Sequence, residues 1–255
     1  MKKLSFYQVI TLLITILTIG VNALANALPL NNLTTGEISD QFAILFVPAG
    51  YVFSIWGLIY TGMIAFTIYQ LLPAQRDNQL IRKITPAYWL LSLANTAWIF
   101  LWHYEVFLAT LLPMLTILAG LIFIYLQITN AKQPSKSDIW LIKLPFSIYL
   151  GWVSVAVIAN ISQVLFFLNW NGFGLSDTVW AITMLVIATG LGAIYLLKEK
   201  NYAYVLVLVW AFAGIGVKQI ADPGVSTIAY AASVVLLISS AIQFVRNRNL
   251  QGAIQ

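Results

Sequence analysis

Residues 48–60 read PAGYVFSIWGLIY. One proline, two glycines and four aromatic residues stand where an apolar run enters a membrane, a place that a generic spanning helix fills with Leu, Ile and Val. Phe53, Trp56 and Tyr60 recur at i, i+3 and i+7, which predicts one aromatic stripe on one helix face. Such a stripe suits a flat, partly polar ligand, and equally a neighbouring helix or the membrane interface.

The rest of the chain fits that setting. Of its 255 residues, 61% are hydrophobic and 8% charged, whereas soluble domains carry roughly 25% charge. The composition is that of an integral membrane protein. With no cysteine there is no disulfide framework, thiolate nucleophile or thiolate-held metal. One histidine, His103, gives little scope for metal binding or acid–base chemistry. His103 and Glu105 are spaced i, i+2, poor for sharing a metal on a helix, and both are expected to face water in a turn. No phosphate loop, carboxylate pair or nucleophile–base pair is present, so no catalytic residue and no metal site is assigned and no enzyme is expected. The net charge of +5 comes from basic residues scattered in short loops, which points to membrane topology and not to nucleic acid.

Apolar runs long enough to span a bilayer lie at about 7–27, 43–71, 86–103, 106–129, 139–169, 178–197, 201–220 and 224–245. The fold class is therefore all-α, a polytopic membrane bundle of about eight helices. Spans three and four form a tight hairpin around residues 103–105. Eight spans put both termini on one side, and of the 13 Lys and Arg residues all but Lys218 fall on that side. By the positive-inside rule both termini are cytoplasmic. The opposite side carries Glu37, Asp40, Glu105, Asp177 and Asp222, and its longest loop runs from about residue 28 to 42. A competing reading takes Lys2-Lys3, the apolar core 9–20 and Ala23-Leu24-Ala25 as a cleaved signal peptide, leaving seven spans.

Span three places Asn95, Trp98 and Trp102 on one face. An amide in hydrocarbon must find a partner, so Asn95 points into the bundle, either bracing a neighbouring helix or reaching a ligand. In span five Trp152, Ala156 and Asn160 follow at i, i+4 and i+8, and Gly151, Ser154 and Ala156 allow close helix approach. Gly190, Gly192, Gly214 and Gly216 likewise mark close packing. Lys218 near the end of span seven invites comparison with a retinal-binding lysine. Gly214 stands four residues before it where an Asp would be needed, so snorkelling or pairing with Asp222 is the expected role.

These three motifs, in order on spans two, three and five, resemble the tryptophan-rich sensory protein family, the TspO or translocator-protein family. Its second helix opens with Pro-Pro-Gly-Trp-Val-Phe, then Trp and Leu-Tyr; Pro48, Gly50, Val52, Phe53, Trp56 and Tyr60 match, with Ala49 for the second Pro and Tyr51 for the first Trp. Asn95 and Trp98 look like its third-helix pattern, and Trp152, Ala156 and Asn160 like its fifth. The family's Pro-Tyr pair before that Trp is here Ile148-Tyr149, with Pro145 displaced by nearly a turn. The resemblance covers roughly residues 7–170. It implies a five-helix core over residues 1–172 and a three-helix extension over 173–255, as in a longer subgroup.

The resemblance also implies a function: binding of a flat hydrophobic ligand, a porphyrin or other tetrapyrrole or a sterol-like lipid, for stress sensing, regulation or transport. A porphyrin or haem-like molecule would be a ligand and not a required cofactor. Spans one, two and five would enclose the pocket, closed by the 28–42 loop. Tyr51, Phe53, Trp56, Asn95, Trp98, Trp152, Ala156 and Asn160 are the candidate ligand-binding residues. The bilayer, such a ligand and a homodimer are the partners compatible with it, nucleic acid is not, and a bacterial inner membrane is the expected location. The alternative is a secondary transporter of another small molecule, although no internal repeat relates residues 1–128 to 129–255 and the span centres lack charge. Reporter fusions after residues 35, 80, 135, 173, 199 and 222 are expected to report outside, inside, inside, outside, inside and outside; a C-terminus reporting outside overturns the eight-span topology.

Overall fold

A computed structural model describes residues 4–28, 30–131 and 134–252, with side chains up to residue 248. Its helices are α1 (Phe6–Ala27), α2 (Thr35–Asp40), α3 (Ile55–Leu71), α4 (Gln79–His103), α5 (Phe107–Thr129), α6 (Lys136–Asp138), α7 (Leu144–Phe167), α8 (Asp177–Leu197), α9 (Tyr202–Lys218) and α10 (Pro223–Gly252), and no strand occurs among the described residues. Among the described residues seven helical segments are long and apolar enough to cross a membrane. The eighth, α9, has 17 residues and rises about 25 Å, close to the roughly 30 Å of a hydrocarbon core. The chain is an all-α polytopic membrane protein. Lys2, Lys3 and Lys132 of the charge argument lie outside the described residues.

Helix boundaries differ from the hydropathy reading in three places. Span two was expected from residue 43, but residues 43–49 are irregular and helix begins at Gly50 as a 3-10 turn leading into α3. Pro48 has no N–H to donate and biases Val47 away from helix, although Phe46 and Val47 are as buried as core residues. Span three begins earlier than residue 86, because the Asn78 side chain accepts from the N–H groups of Leu80 and Ile81 and caps α4 there. The last helix runs past residue 245 to Gly252.

The described chain forms two compact units, divided within the entry to span two and within α7. The first comprises residues up to Phe42 with Ser54–Val153, and the second Ala43–Phe53 with residues from Ser154 on.

In the first unit α1 turns its polar side inward. Gln8, Thr11, Thr15, Thr18, Asn22 and Ala25 are its buried residues, spaced alternately three and four apart, while Leu13, Ile16, Leu17 and Leu24 are exposed. That inversion suits a lipid-facing helix, whose polar side chains have no water to turn to. Gln8 Nε2 donates to the Gln70 carbonyl at 2.8 Å and Gln70 Nε2 to the Gln8 carbonyl at 3.2 Å. The Thr15 hydroxyl lies 2.9 Å from that of Thr67 and 2.6 Å from that of Tyr88. Trp89 Nε1 donates to Thr11, Thr18 to the Ser92 carbonyl, and Asn22 Nδ2 to Asn95 Oδ1 at 2.7 Å. One stripe thus joins α1 to both α3 and α4. The α4–α5 hairpin turns at Glu105, whose φ of 58° sets the left-handed kink, and the Val106 N–H closes it on the Leu101 carbonyl.

In the second unit α8, α9 and α10 pack on one another. A Cβ on Gly192 would meet Leu208 and Leu236, and one on Gly216 would meet the Tyr230 ring. Ser226 and Ser233 of α10 donate to the carbonyls of Gly216 and Val209 in α9. Gly190, expected to mark close packing, has nothing within 4 Å. The Pro48–Val52 segment lies along α9: the Ala49 N–H donates to the Gly214 carbonyl at 3.1 Å and Trp210 Nε1 to the Val52 carbonyl at 3.2 Å. A Cβ on Gly214 would collide with the Val52 side chain, which is itself fully buried.

Two substitutions test these contacts by thermal unfolding in detergent. Gly214→Ala is expected to destabilise by about 1–3 kcal/mol through overpacking, with Gly190→Ala as a near-neutral control. Asn22→Leu is expected to cost about 1–2 kcal/mol by stripping the buried Asn95 carbonyl of its donor.

Candidate functional site

Within the first unit two of the expected residues, Trp56 and Asn95, meet at Tyr149, and Trp152 joins them through Trp56. Trp56 stacks on Tyr60 one turn along α3, with centroids 5.4 Å apart and planes at 21°. Its edges meet Tyr149 at 5.8 Å and Trp152 at 6.2 Å, both near perpendicular, the geometry in which a ring's positive edge meets a negative face. Trp56 and Tyr60 are half-buried, whereas Tyr149 and Trp152 are buried. The Tyr149 hydroxyl accepts from Asn95 Nδ2 at 3.2 Å. A chain Asn22–Asn95–Tyr149 therefore runs from α1 through α4 to the aromatic cluster.

Asn95 is 1% exposed and uses its carbonyl and its amide nitrogen on two different helices. This is a bracing geometry, and it sets the orientation of the Tyr149 ring. Trp98 is buried and stacks at 4.9 Å on Trp102, one turn further along α4 than the cluster. Of the expected aromatic stripe, Trp56 and Tyr60 share one face of α3, where their rings stack. Phe53 precedes α3, in the 3-10 turn, and belongs to the second unit.

The other candidates also lie in the second unit. Tyr51 is half exposed and meets Trp210 edge-on at 5.4 Å. Ala156 is partly buried and Asn160 buried on α7, which carries core residues on every side. Sequence reasoning left Tyr149 and Asn22 out of the site. The i, i+3 spacing of Tyr149 and Trp152 was the available signal for the first. For Asn22 it was the regular recurrence of polar residues along α1.

His103 is a correction. It was expected in a water-exposed turn, yet it is fully buried. Its Nδ1 lies 2.9 Å from the Leu30 carbonyl and its Nε2 3.2 Å from the Thr35 hydroxyl, while its own carbonyl accepts from Asn31. Trp102 Nε1 donates to the Thr35 carbonyl. These bonds seat the loop between α1 and α3 on the C-terminal end of α4. Glu105 is exposed as expected. The α2 turn is closed by a reciprocal cap between Thr34 and Glu37, and the bonds from the Thr34 N–H and hydroxyl hold the Glu37 carboxyl below the usual carboxylate range.

Among the described residues no group of three or more His, Asp or Glu is placed to hold a metal ion. What the cluster supplies is a set of apolar ring faces with polar tips oriented by amides.

No curated protein and no solved structure matches the chain. A family model described as TSPO-like protein matches residues 8–242. The match runs well past residue 170, through α8 and α9 and into α10, so the likeness is not confined to the first five spans. On that coverage this integral membrane chain belongs to the TSPO-like protein family.

Proposed function

We propose that the protein binds a flat hydrophobic ligand of the tetrapyrrole or sterol-like class and serves in sensing, regulation or transport, not catalysis. The observation that carries this reading is the half-buried Trp56 ring set against buried Tyr149 and Trp152, with the Tyr149 hydroxyl held by Asn95. A planar ligand laid on the exposed part of Trp56 would complete its burial. Its polar edge would compete for the Tyr149 hydroxyl and the Asn95 amide, which are polar groups bonded at the cluster. Family membership supports the same class of ligand. Trp98, Tyr51, Phe53, Ala156 and Asn160 remain candidates for ligand contact on the family pattern.

The test is titration of purified full-length protein with protoporphyrin and a sterol, read by tryptophan fluorescence quenching. Saturable binding at micromolar or better affinity is expected for one of them. Trp56→Ala and Trp152→Ala should each weaken it by roughly 1–3 kcal/mol, the scale of a lost buried aromatic contact. If both variants unfold like the parent and bind like it, the cluster is not the site.

A further inference from the structure

A second recessed feature lies wholly inside the second unit. The C-terminal half of α7, the irregular run 43–46 and the first turns of α8 enclose a half-open cavity of about 220 Å³. From Ile158 to Phe166 its α7 wall rises about 12 Å, and Ile44, Phe46 and Met184 make the remaining walls apolar. Past the end of α7 the cavity meets Trp170, Trp180 and Asp177.

The two indoles are held firmly. Trp180 Nε1 donates to the Gly172 carbonyl at 2.8 Å. Gly172 has φ +63°, and a Cβ there would come within 3.2 Å of that nitrogen, so both backbone conformation and space call for glycine. Trp170 lies 5.2 Å from Trp180, and Phe173 abuts Trp170 edge-on at 5.2 Å. With its N–H spent, Trp180 has only ring surface left to offer a ligand.

Asp177 is the one charged residue lining the cavity, and it is exposed. It forms no ion pair among the described residues. Asp222 differs: it accepts from the Thr178 hydroxyl at 2.6 Å and the Val225 N–H at 3.1 Å. The Thr178 bond, first, and the Val225 N–H hold its carboxyl below the usual range. Lys218, at the end of α9, is not part of the lining.

We propose that this cavity binds a single-chain amphiphile with a substituted-ammonium head. The tail occupies the apolar slot along α7, and the head rests against the Trp170 and Trp180 rings beside the Asp177 carboxylate. Size and charge select this class. Drug-sized pockets run to roughly 300–1,000 Å³, so a half-open cavity of about 220 Å³ suits one chain better than a two-chained lipid or a tetrapyrrole. Tryptophan faces attract organic cations, and a lone carboxylate favours them further while repelling anionic heads. The site shares no residue with the Trp56 cluster and does not depend on the function proposed for it.

The test is saturable binding of radiolabelled dodecyltrimethylammonium to the full-length protein in dodecyl maltoside micelles, with dodecyl sulfate as the equal-tailed anion. Saturable binding of the cation but not the anion is expected. Asp177→Asn should weaken it about three- to fivefold at low salt while the variant still unfolds cooperatively, with only the small loss expected from removing a first-turn carboxylate. Ala181→Leu, which fills the cavity from α8, should weaken it more, while Trp56→Ala should leave it unchanged. Non-saturable cation binding, equal binding of both head groups, or an Asp177→Asn variant that binds like the parent overturns the proposal. Should Ala181→Leu fail to fold, Asp177→Asn alone decides.

Discussion

A polar side chain inside a bilayer has no water to fall back on, and α1 carries five of them on its buried stripe. Each finds its partner on α3 or α4, or along α1 itself, and those partners dictate how the three helices meet. Gln8 and Gln70 exchange bonds near one end, Thr15 joins Thr67 and Tyr88 further along, and Asn22 reaches Asn95 beyond. The apolar effect cannot set this register, since lipid tails are as apolar as leucine. Hydrogen bonds set it instead, and the aromatic cluster inherits its geometry through Asn95 and Tyr149.

The fold was legible to the extent that hydropathy carries it. Eight apolar runs correspond to seven spanning segments and the shorter α9. What hydropathy could not carry was conformation inside an apolar run. Residues 43–49 are as hydrophobic as a helix yet irregular, and only Pro48 signalled it. His103 was misread because its surroundings in the chain are those of a turn. Its burial comes from Leu30 and Thr35, some 70 residues away, and no local pattern announces such partners.

The candidate site was legible in a similar, partial way. Spacing along one helix placed Trp56 with Tyr60 and Trp98 with Trp102 on shared faces, and in the structure each pair stacks. It is silent on which helix lies opposite. The contacts of Trp56 with Tyr149 and Trp152 bridge about 95 residues of sequence and depend on how α3 and α7 pack. Gly62 shows how closely they do so, since a Cβ there would come within 2.9 Å of Pro145. The family's proline pair is altered in this chain, and Pro145 has become part of that close approach.

The hold of α9 on the entry to span two has a consequence in time. Trp210 and the Val52 carbonyl are 158 residues apart, so the ribosome finishes one roughly 8–30 s after the other at about 5–20 residues per second. Throughout that interval the Ala49 N–H has no Gly214 carbonyl and the Val52 carbonyl no indole donor. Water or the insertion machinery must solvate them meanwhile. A stretch near the beginning of the polypeptide is thus among the last to mature, and a chain released early leaves Pro48–Val52 without its seat.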